Sequence, residues 1–398
     1  MFTLSVIGAG LVLGSVVSLS SVLLPSPSSL KLTPTLNAAF MNLKLGIHQG
    51  EQMLYPLINQ QIDYPWGIRL LCSLPTGLSS KKVIEQSAAI SEALRYDVEI
   101  YWHKGLIIDV FQKELPKSIP FEQVEKRNDY KVAIGVNKRL EPVYYDFAGS
   151  FPHLLIGGIS GGGKSVLLRS ILTQLCMNQP LLYLGDMKGG VELNLFKNLQ
   201  NTVRFSTNLA QLEQMAAEVE HEMNKRYEIM ERNGTQEWEG KKIIFVLDEL
   251  ADLKSRAKDP DAAIKANIKA KLTNISAKGR ASAVTLILCT QRPDASIVDG
   301  LIKTNIATSI CFRTRDATQS RIILDSNDAA DLPDVPGRAI FQQAHDVTVQ
   351  SFYLPYKTAR ELLKPYECQP ITNKIEGVIH EQNAVKTSTM DNNIDELE

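Results

Sequence analysis

The octet Gly158-Ile159-Ser160-Gly161-Gly162-Gly163-Lys164-Ser165 constrains this chain more than any other feature. It joins an apolar run, His153 to Ile156, to a helical stretch, Val166 to Met177. A glycine-rich turn between a buried strand and a helix aims backbone N–H groups and a helix N-terminus at one small volume, which suits a polyphosphate. Every defined position of G-x-x-x-x-G-K-S is present. In this reading the glycines let the main chain wrap the phosphates, Lys164 reaches the β and γ phosphates, and Ser165 ligates Mg²⁺. The octet therefore implies a bound nucleoside triphosphate.

Two further strand ends complete a hydrolytic set. Ile243-Ile244-Phe245-Val246-Leu247 is an apolar strand that ends in Asp248-Glu249. Nucleotides bind at the C-terminal edge of open α/β sheets, so Asp248 is placed to hold Mg²⁺ and Glu249 to orient and deprotonate the attacking water. Leu286 to Cys289 is another buried strand, ending in Thr290-Gln291, and Gln291 is placed to sense the γ-phosphate. Strands are expected at His153 to Ile156, Leu181 to Gly185, Ile243 to Leu247, Val284 to Cys289 and Ser309 to Phe312, alternating with helices. A long helix runs from Leu209 to about Arg232 and stops at Asn233-Gly234. That alternation predicts a parallel sheet with helices on both faces.

The formal net charge is −1, so no global basic field advertises nucleic acid. The surplus is local: Lys254 to Arg280 holds eight basic residues and two acids, Asp259 and Asp261, which fits either a phosphate-facing surface or a solvated helix face. Five scattered cysteines form no C-x-x-C pair and fit free thiols in a reducing compartment. No charged residue occurs from Met1 to Leu30, and Phe2 to Leu24 is apolar enough to cross a bilayer as one helix. The first charges beyond it, Lys31 and Lys44, are basic, which favours a cytoplasmic C-terminal side, where ATP and Mg²⁺ are found. The expected organisation is a membrane anchor with a Pro/Ser linker (1–30), a helical connector (31–64), a small α/β module (65–130), the nucleotide-binding domain (131–356) and a polar, disordered tail (357–398). The protein is thus expected at the cytoplasmic membrane, single-pass, with its motor in the cytoplasm.

The blocks Asp248-Glu249-Leu250-Ala251-Asp252-Leu253, Thr290-Gln291-Arg292-Pro293, Gly300 to Ile306 and Ser320 to Asp325 resemble the signature segments of FtsK/SpoIIIE-type DNA translocases. Asp186-Met187-Lys188 and Glu222 to Tyr227 resemble two more, in the same order, so the resemblance spans roughly residues 134–356. It implies a RecA-like P-loop NTPase motor, so that with the small N-terminal α/β module and the one N-terminal transmembrane helix read above the expected fold class is α/β. It also implies a homo-hexameric ring that hydrolyses ATP at subunit boundaries and threads double-stranded DNA. Such a ring needs a cation supplied in trans to the γ-phosphate. Arg226, in the block resembling E-M-x-x-R-Y, is the first candidate, with Arg280 and Arg321 behind it; each is equally readable as a surface arginine in a helix-stabilising pair. One span, a short connector and a small tail depart from the chromosome-segregating members. The layout is closer to coupling ATPases of conjugative elements and plasmids, which would meet transfer-channel or relaxosome proteins. The alternative is a related motor for protein export, of the type VII secretion kind.

Overall fold

A computed structural model describes residues 29–368 apart from Lys126, Asn128 and Asp299. The expected membrane span falls almost wholly outside these residues, as does the tail from position 369. No helix among the described residues is long and apolar enough to cross a membrane. The chain divides into two compact units, up to Lys113 and from Glu114.

The first unit contains α1 (Ser29–Asn42), β1 (Ile47–Gln49), β2 (Gln52–Leu54), β3 (Leu57–Tyr64), β4 (Gly67–Ser73), α2 (Ser80–Ile84), α3 (Ser87–Leu94), β5 (Asp97–Trp102) and β6 (Leu106–Phe111). Its main sheet has the order β3-β4-β6-β5 and is antiparallel throughout. Leu36 and Phe40 of α1 and Ile90 of α3 pack against Leu70, Ile108 and Val110 of the sheet. The expected helical connector is helical only as far as Asn42 and is mostly strand from Ile47 onward. The cause is visible in β3, an edge strand whose exposed positions include polar Asn59, Gln60 and Asp63 and whose register shifts between Ile58 and Gln60. A bulge of that kind breaks the period-two pattern by which strands are read.

The second unit contains β7 (Ile119–Pro120), β8 (Lys131–Val136), β9 (Pro142–Asp146), β10 (Leu154–Gly157), α4 (Lys164–Cys176), β11 (Leu181–Gly185), β12 (Thr202–Ser206), α5 (Leu209–Asn233), β13 (Ile243–Leu247), α6 (Ala262–Lys278), β14 (Val284–Thr290), α7 (Gly300–Asn305), β15 (Thr308–Phe312), α8 (Ala317–Leu324), β16 (Arg338–Gln342), β17 (Asp346–Tyr353) and α9 (Tyr356–Leu363). One sheet runs through it in the order β12-β11-β13-β14-β10-β15-β16-β17-β8-β9, with β7 paired to β17. All five expected strands lie in its parallel half, from β12 to β15. The other half, β16-β17-β8-β9, is antiparallel and was not expected. Its strands come from opposite ends of the domain sequence, so no local βαβ pattern announces them.

Alternate residues of each central strand enter different cores. Ile243, Phe245 and Leu247 of β13 face α5 and α6 through Met215, Val219 and Leu272. Ile244 and Val246 face α4 through Leu167 and Ile171. A strand buried on both faces reads as a continuous apolar run, which is why β13 and β14 were legible. At the C-terminal side the structure corrects the expected tail. Tyr356–Leu363 is helix, with Ala359 and Leu363 buried against the domain. The segment 114–130 likewise belongs to the second unit, tied to it by β7.

His153, at the entry to β10, is buried, and its Nδ1 accepts the Leu286 N–H at 3.1 Å. Burial, helped by the Lys242 charge, pushes its pKa down to about 4. A base whose folded pKa lies below its unfolded value contributes stability at neutral pH that is lost as pH falls through the unfolded value toward the folded one. Denaturant titrations are therefore expected to show up to about 3 kcal/mol lost from His153 between pH 6.5 and 4. His153→Gln should flatten that part of the profile.

Candidate functional site

Between β10, which carries the glycine-rich loop, and β13, which carries the acid pair, lies β14. The three C-terminal ends therefore meet on one sheet edge, where ligands of open α/β sheets bind. Gly158, Gly161 and Gly163 have φ of +142°, +81° and +114°, conformations that favour glycine. The loop is held from outside: Ile159 N–H donates to the Arg313 carbonyl at 3.0 Å, and Gly337 N–H donates to the Gly162 carbonyl at 2.8 Å. Lys164 opens α4 and is buried, and burial lowers its pKa. Its Nζ donates to the Asp248 carbonyl at 3.4 Å and lies 3.9 Å from Glu249 Oε2.

Asp248 and Glu249 are both buried but differently partnered. Asp248 Oδ1 accepts the Met187 N–H at 2.9 Å, whereas Oδ2 is buried with no hydrogen-bond partner among the described residues. Burial raises the Asp248 pKa to about 7. An orphaned carboxylate oxygen at a glycine-loop site fits a hard cation or its bound waters, so Asp248, with Ser165 on the first turn of α4, is suited to hold Mg²⁺. Glu249 Oε1 accepts the Thr290 hydroxyl at 3.0 Å and the Gln291 N–H at 3.0 Å, while the same N–H lies 3.2 Å from Oε2. The Thr290-Gln291 pair thus joins the site through a hydroxyl and a main-chain amide. These two donors fix the rotamer of the expected base.

Lys188 is the residue that sequence reasoning passed over. It sits in the turn after β11 and places Nζ 3.3 Å from Glu249 Oε2 and 4.0 Å from Asp248 Oδ2. Burial opposes its charge, but Glu249 and Asp248 outweigh burial and raise its pKa. The one signal for it was its position inside the Asp186-Met187-Lys188 block. A second unread element is the 333–337 turn, which with Arg313 borders a cavity of about 140 Å³ beside Ile159 and Ser160 of the loop. Arg313 Nη1 lies 3.5 Å from Asp334 there.

Residues 121–244 match the FtsK/SpoIIIE family. The second unit therefore carries an FtsK/SpoIIIE-family segment. The DNA translocase SpoIIIE of Bacillus subtilis is 28% identical over 291 residues, covering 64% of this chain and 36% of SpoIIIE. A DNA translocase FtsK from Halalkalibacterium halodurans is 30% identical over 230 residues, 52% of this chain and 28% of that protein. The chain spans about a third of the length of these relatives. The pCW3 conjugation coupling protein TcpA, solved in a monomer form with ATPγS, matches at a TM-score of 0.60 and 26% identity. That match covers 84% of this chain and 99% of TcpA. The cytoplasmic domain of the type VII secretion ATPase EccC of Thermomonospora curvata shares the fold at a TM-score of 0.53 and 24% identity, over 65% of this chain and 33% of EccC. The second unit accordingly shares the fold of P-loop ATPase domains.

Among the candidate arginines of the second unit the structure makes one correction. Arg226 is only 2% exposed: its Nη1 donates to the Ser282 carbonyl at 2.8 Å, Nε pairs with Glu222 at 3.2 Å, and the guanidinium lies 4.9 Å from the Trp238 ring centroid. A side chain so committed within its own protomer is not offered to a neighbour. Arg226→Ala is expected to lower folding stability by about 2 kcal/mol or more, read from the denaturant midpoint, since it strips a buried carbonyl and an aromatic face of their cation. Arg280, before β14, and Arg321, on α8, are exposed. The basic run before and along α6 is partly consumed internally: Lys265 pairs with Asp259 at 2.8 Å, Lys271 with Glu220 at 3.2 Å, and Lys254 with Asp294.

Proposed function

We propose that this chain is an ATP-driven double-stranded DNA translocase that works as a coupling or transfer ATPase of a conjugative element or plasmid. The observation that carries the reading is the convergence of Lys164, Asp248 and Glu249 on one sheet edge of the unit that carries the FtsK/SpoIIIE match. The extent of the likeness to TcpA, nearly the whole of that chain, supports the coupling role. The proposed reaction is attack of water on the γ-phosphorus of ATP. A P–O bond forms to the water oxygen, the bond to the β,γ-bridging oxygen breaks with its electron pair going to ADP, and Glu249 takes the water proton. Lys164 offsets the charge on the phosphates, while Thr290 and Gln291 hold the carboxylate in line. Mg²⁺, when held by Asp248 and Ser165, supplies further charge neutralisation.

In this proposal the chain assembles as a homo-hexamer tethered to the cytoplasmic membrane by its apolar N-terminal stretch, with the motor in the cytoplasm. Arg280 and Arg321 remain the candidates for the cation given to a neighbouring site. The exposed Arg256 and Lys258, in the loop that follows the acid pair, are placed for DNA phosphates. The test is ATP turnover by the full chain with and without long double-stranded DNA. DNA is expected to raise turnover several-fold in wild type and to have no effect on Lys164→Ala. Turnover indifferent to DNA but raised by an exported protein substrate would replace this function with the secretion alternative.

A further inference from the structure

The acid end of β13 is faced by two ammonium groups. Lys164 Nζ lies 3.9 Å and Lys188 Nζ 3.3 Å from the same oxygen, Glu249 Oε2. They arrive from opposite sides of β13, Lys164 from the phosphate loop after β10 and Lys188 from the turn after β11. The Lys188 turn is built to keep its backbone in place. Buried Asp186 accepts the N–H groups of Lys188 and Gly190 at 3.2 Å each and that of Leu193 at 2.8 Å. Gly189 and Gly190, at φ +78° and +79°, turn the chain away directly afterward. The side chain itself is 28% exposed at the site.

An anionic oxygen that faces two ammonium groups, Glu249 Oε2, marks where an oxygen of the substrate's terminal phosphate is to be expected. Lys164 is committed by its loop to the β and γ phosphates. An anionic oxygen taken up by Lys164 in place of Glu249 Oε2 is then within reach of Lys188 as well.

We propose that Lys188 is a second phosphate-contacting lysine: it pairs with Glu249 before ATP binds and passes to the γ-phosphate when ATP enters, releasing Glu249 for the attacking water. This rests on the ATPase reading above. No bond is made to Lys188; its ammonium donates hydrogen bonds to γ-phosphate oxygens as the water oxygen bonds to phosphorus and ADP departs. ADP has no γ-phosphate, so with ADP bound Lys188 stays on Glu249. The site then distinguishes its substrate from its product through this one side chain.

The test uses the full chain with Lys188→Met and Lys188→Arg, each first shown to melt as a folded protein. Equilibrium binding of ATPγS and of ADP is measured, followed by single-turnover ATP hydrolysis. Lys188→Met is expected to weaken ATPγS by about tenfold while leaving ADP within about twofold, and to slow hydrolysis by about a hundredfold. Lys188→Arg should restore part of both losses, because it keeps the charge. Equal weakening of ATPγS and ADP would overturn the proposal in favour of a loop-bracing role. No change in either ligand would overturn it outright. A wild-type chain that bound neither nucleotide would sink the ATPase reading together with this one, whereas the two preceding outcomes leave that reading standing.

Discussion

Glu249→Gln is expected to slow ATP hydrolysis by about a thousandfold while leaving ATP affinity within a few-fold of wild type. The substitution keeps the size of the side chain. An amide oxygen in the place of Oε1 can still accept the Thr290 hydroxyl and the Gln291 N–H, both at 3.0 Å. What it loses is the capacity to take a proton and the charge that attracts Lys188 and Lys164. Loss of the proton acceptor falls on kcat, whereas release of the two lysines improves the site for a triphosphate, so bound ATP should accumulate. Single-turnover hydrolysis set beside equilibrium ATP binding separates the two effects. A Glu249→Gln chain that hydrolysed at the wild-type rate would place the proton acceptor elsewhere.

The site's skeleton was legible because each part is a local pattern. Gly158 to Ser165 announces its conformation through its glycines, and the runs ending at Asp248 and Thr290 are strands buried on both faces, with apolar stretches Ile243 to Leu247 and Leu286 to Cys289. Long-range geometry was not legible. The pairing of β17 with β8, far apart in sequence, has no local mark, and Lys188 gained its place only when β11 came to lie beside β13. Arg226 was misread although its environment was available in the sequence. Along α5 the buried residues Leu212, Met215, Val219, Met223 and Met230 follow a helical stripe, and Arg226 falls on that stripe. Residues three and four apart share a face, so a charged residue in phase with an apolar stripe is more simply an internally paired side chain than a surface finger. The family block suggested a role for this arginine; the helical phase points inward.

Gly163→Ala is expected to abolish nucleotide binding at ordinary concentrations, a loss of about a hundredfold or more in affinity, and to lower folding stability by a few kcal/mol. Two costs coincide at this position. The backbone holds φ at +114°, outside the range L-residues readily adopt. A Cβ there would also stand 2.8 Å from the Gly337 nitrogen and 3.0 Å from its Cα, which are backbone atoms with no rotamer to swing away. That same nitrogen donates to the Gly162 carbonyl at 2.8 Å, so relief by shifting the 333–337 turn would break the contact that holds the phosphate loop in shape. Gly161→Ala is the matched control. Its φ of +81° is also positive, but an added Cβ meets nothing within 4 Å. Gly161→Ala should therefore lose only the conformational term, about 1–2 kcal/mol, and still bind nucleotide. Equilibrium ATP binding and denaturant midpoints for the two variants decide between them. Equal losses would mean that backbone conformation alone governs the loop. The expected gap assigns the excess to the Gly337 contact, and so makes the turn preceding β16 a structural part of the phosphate site.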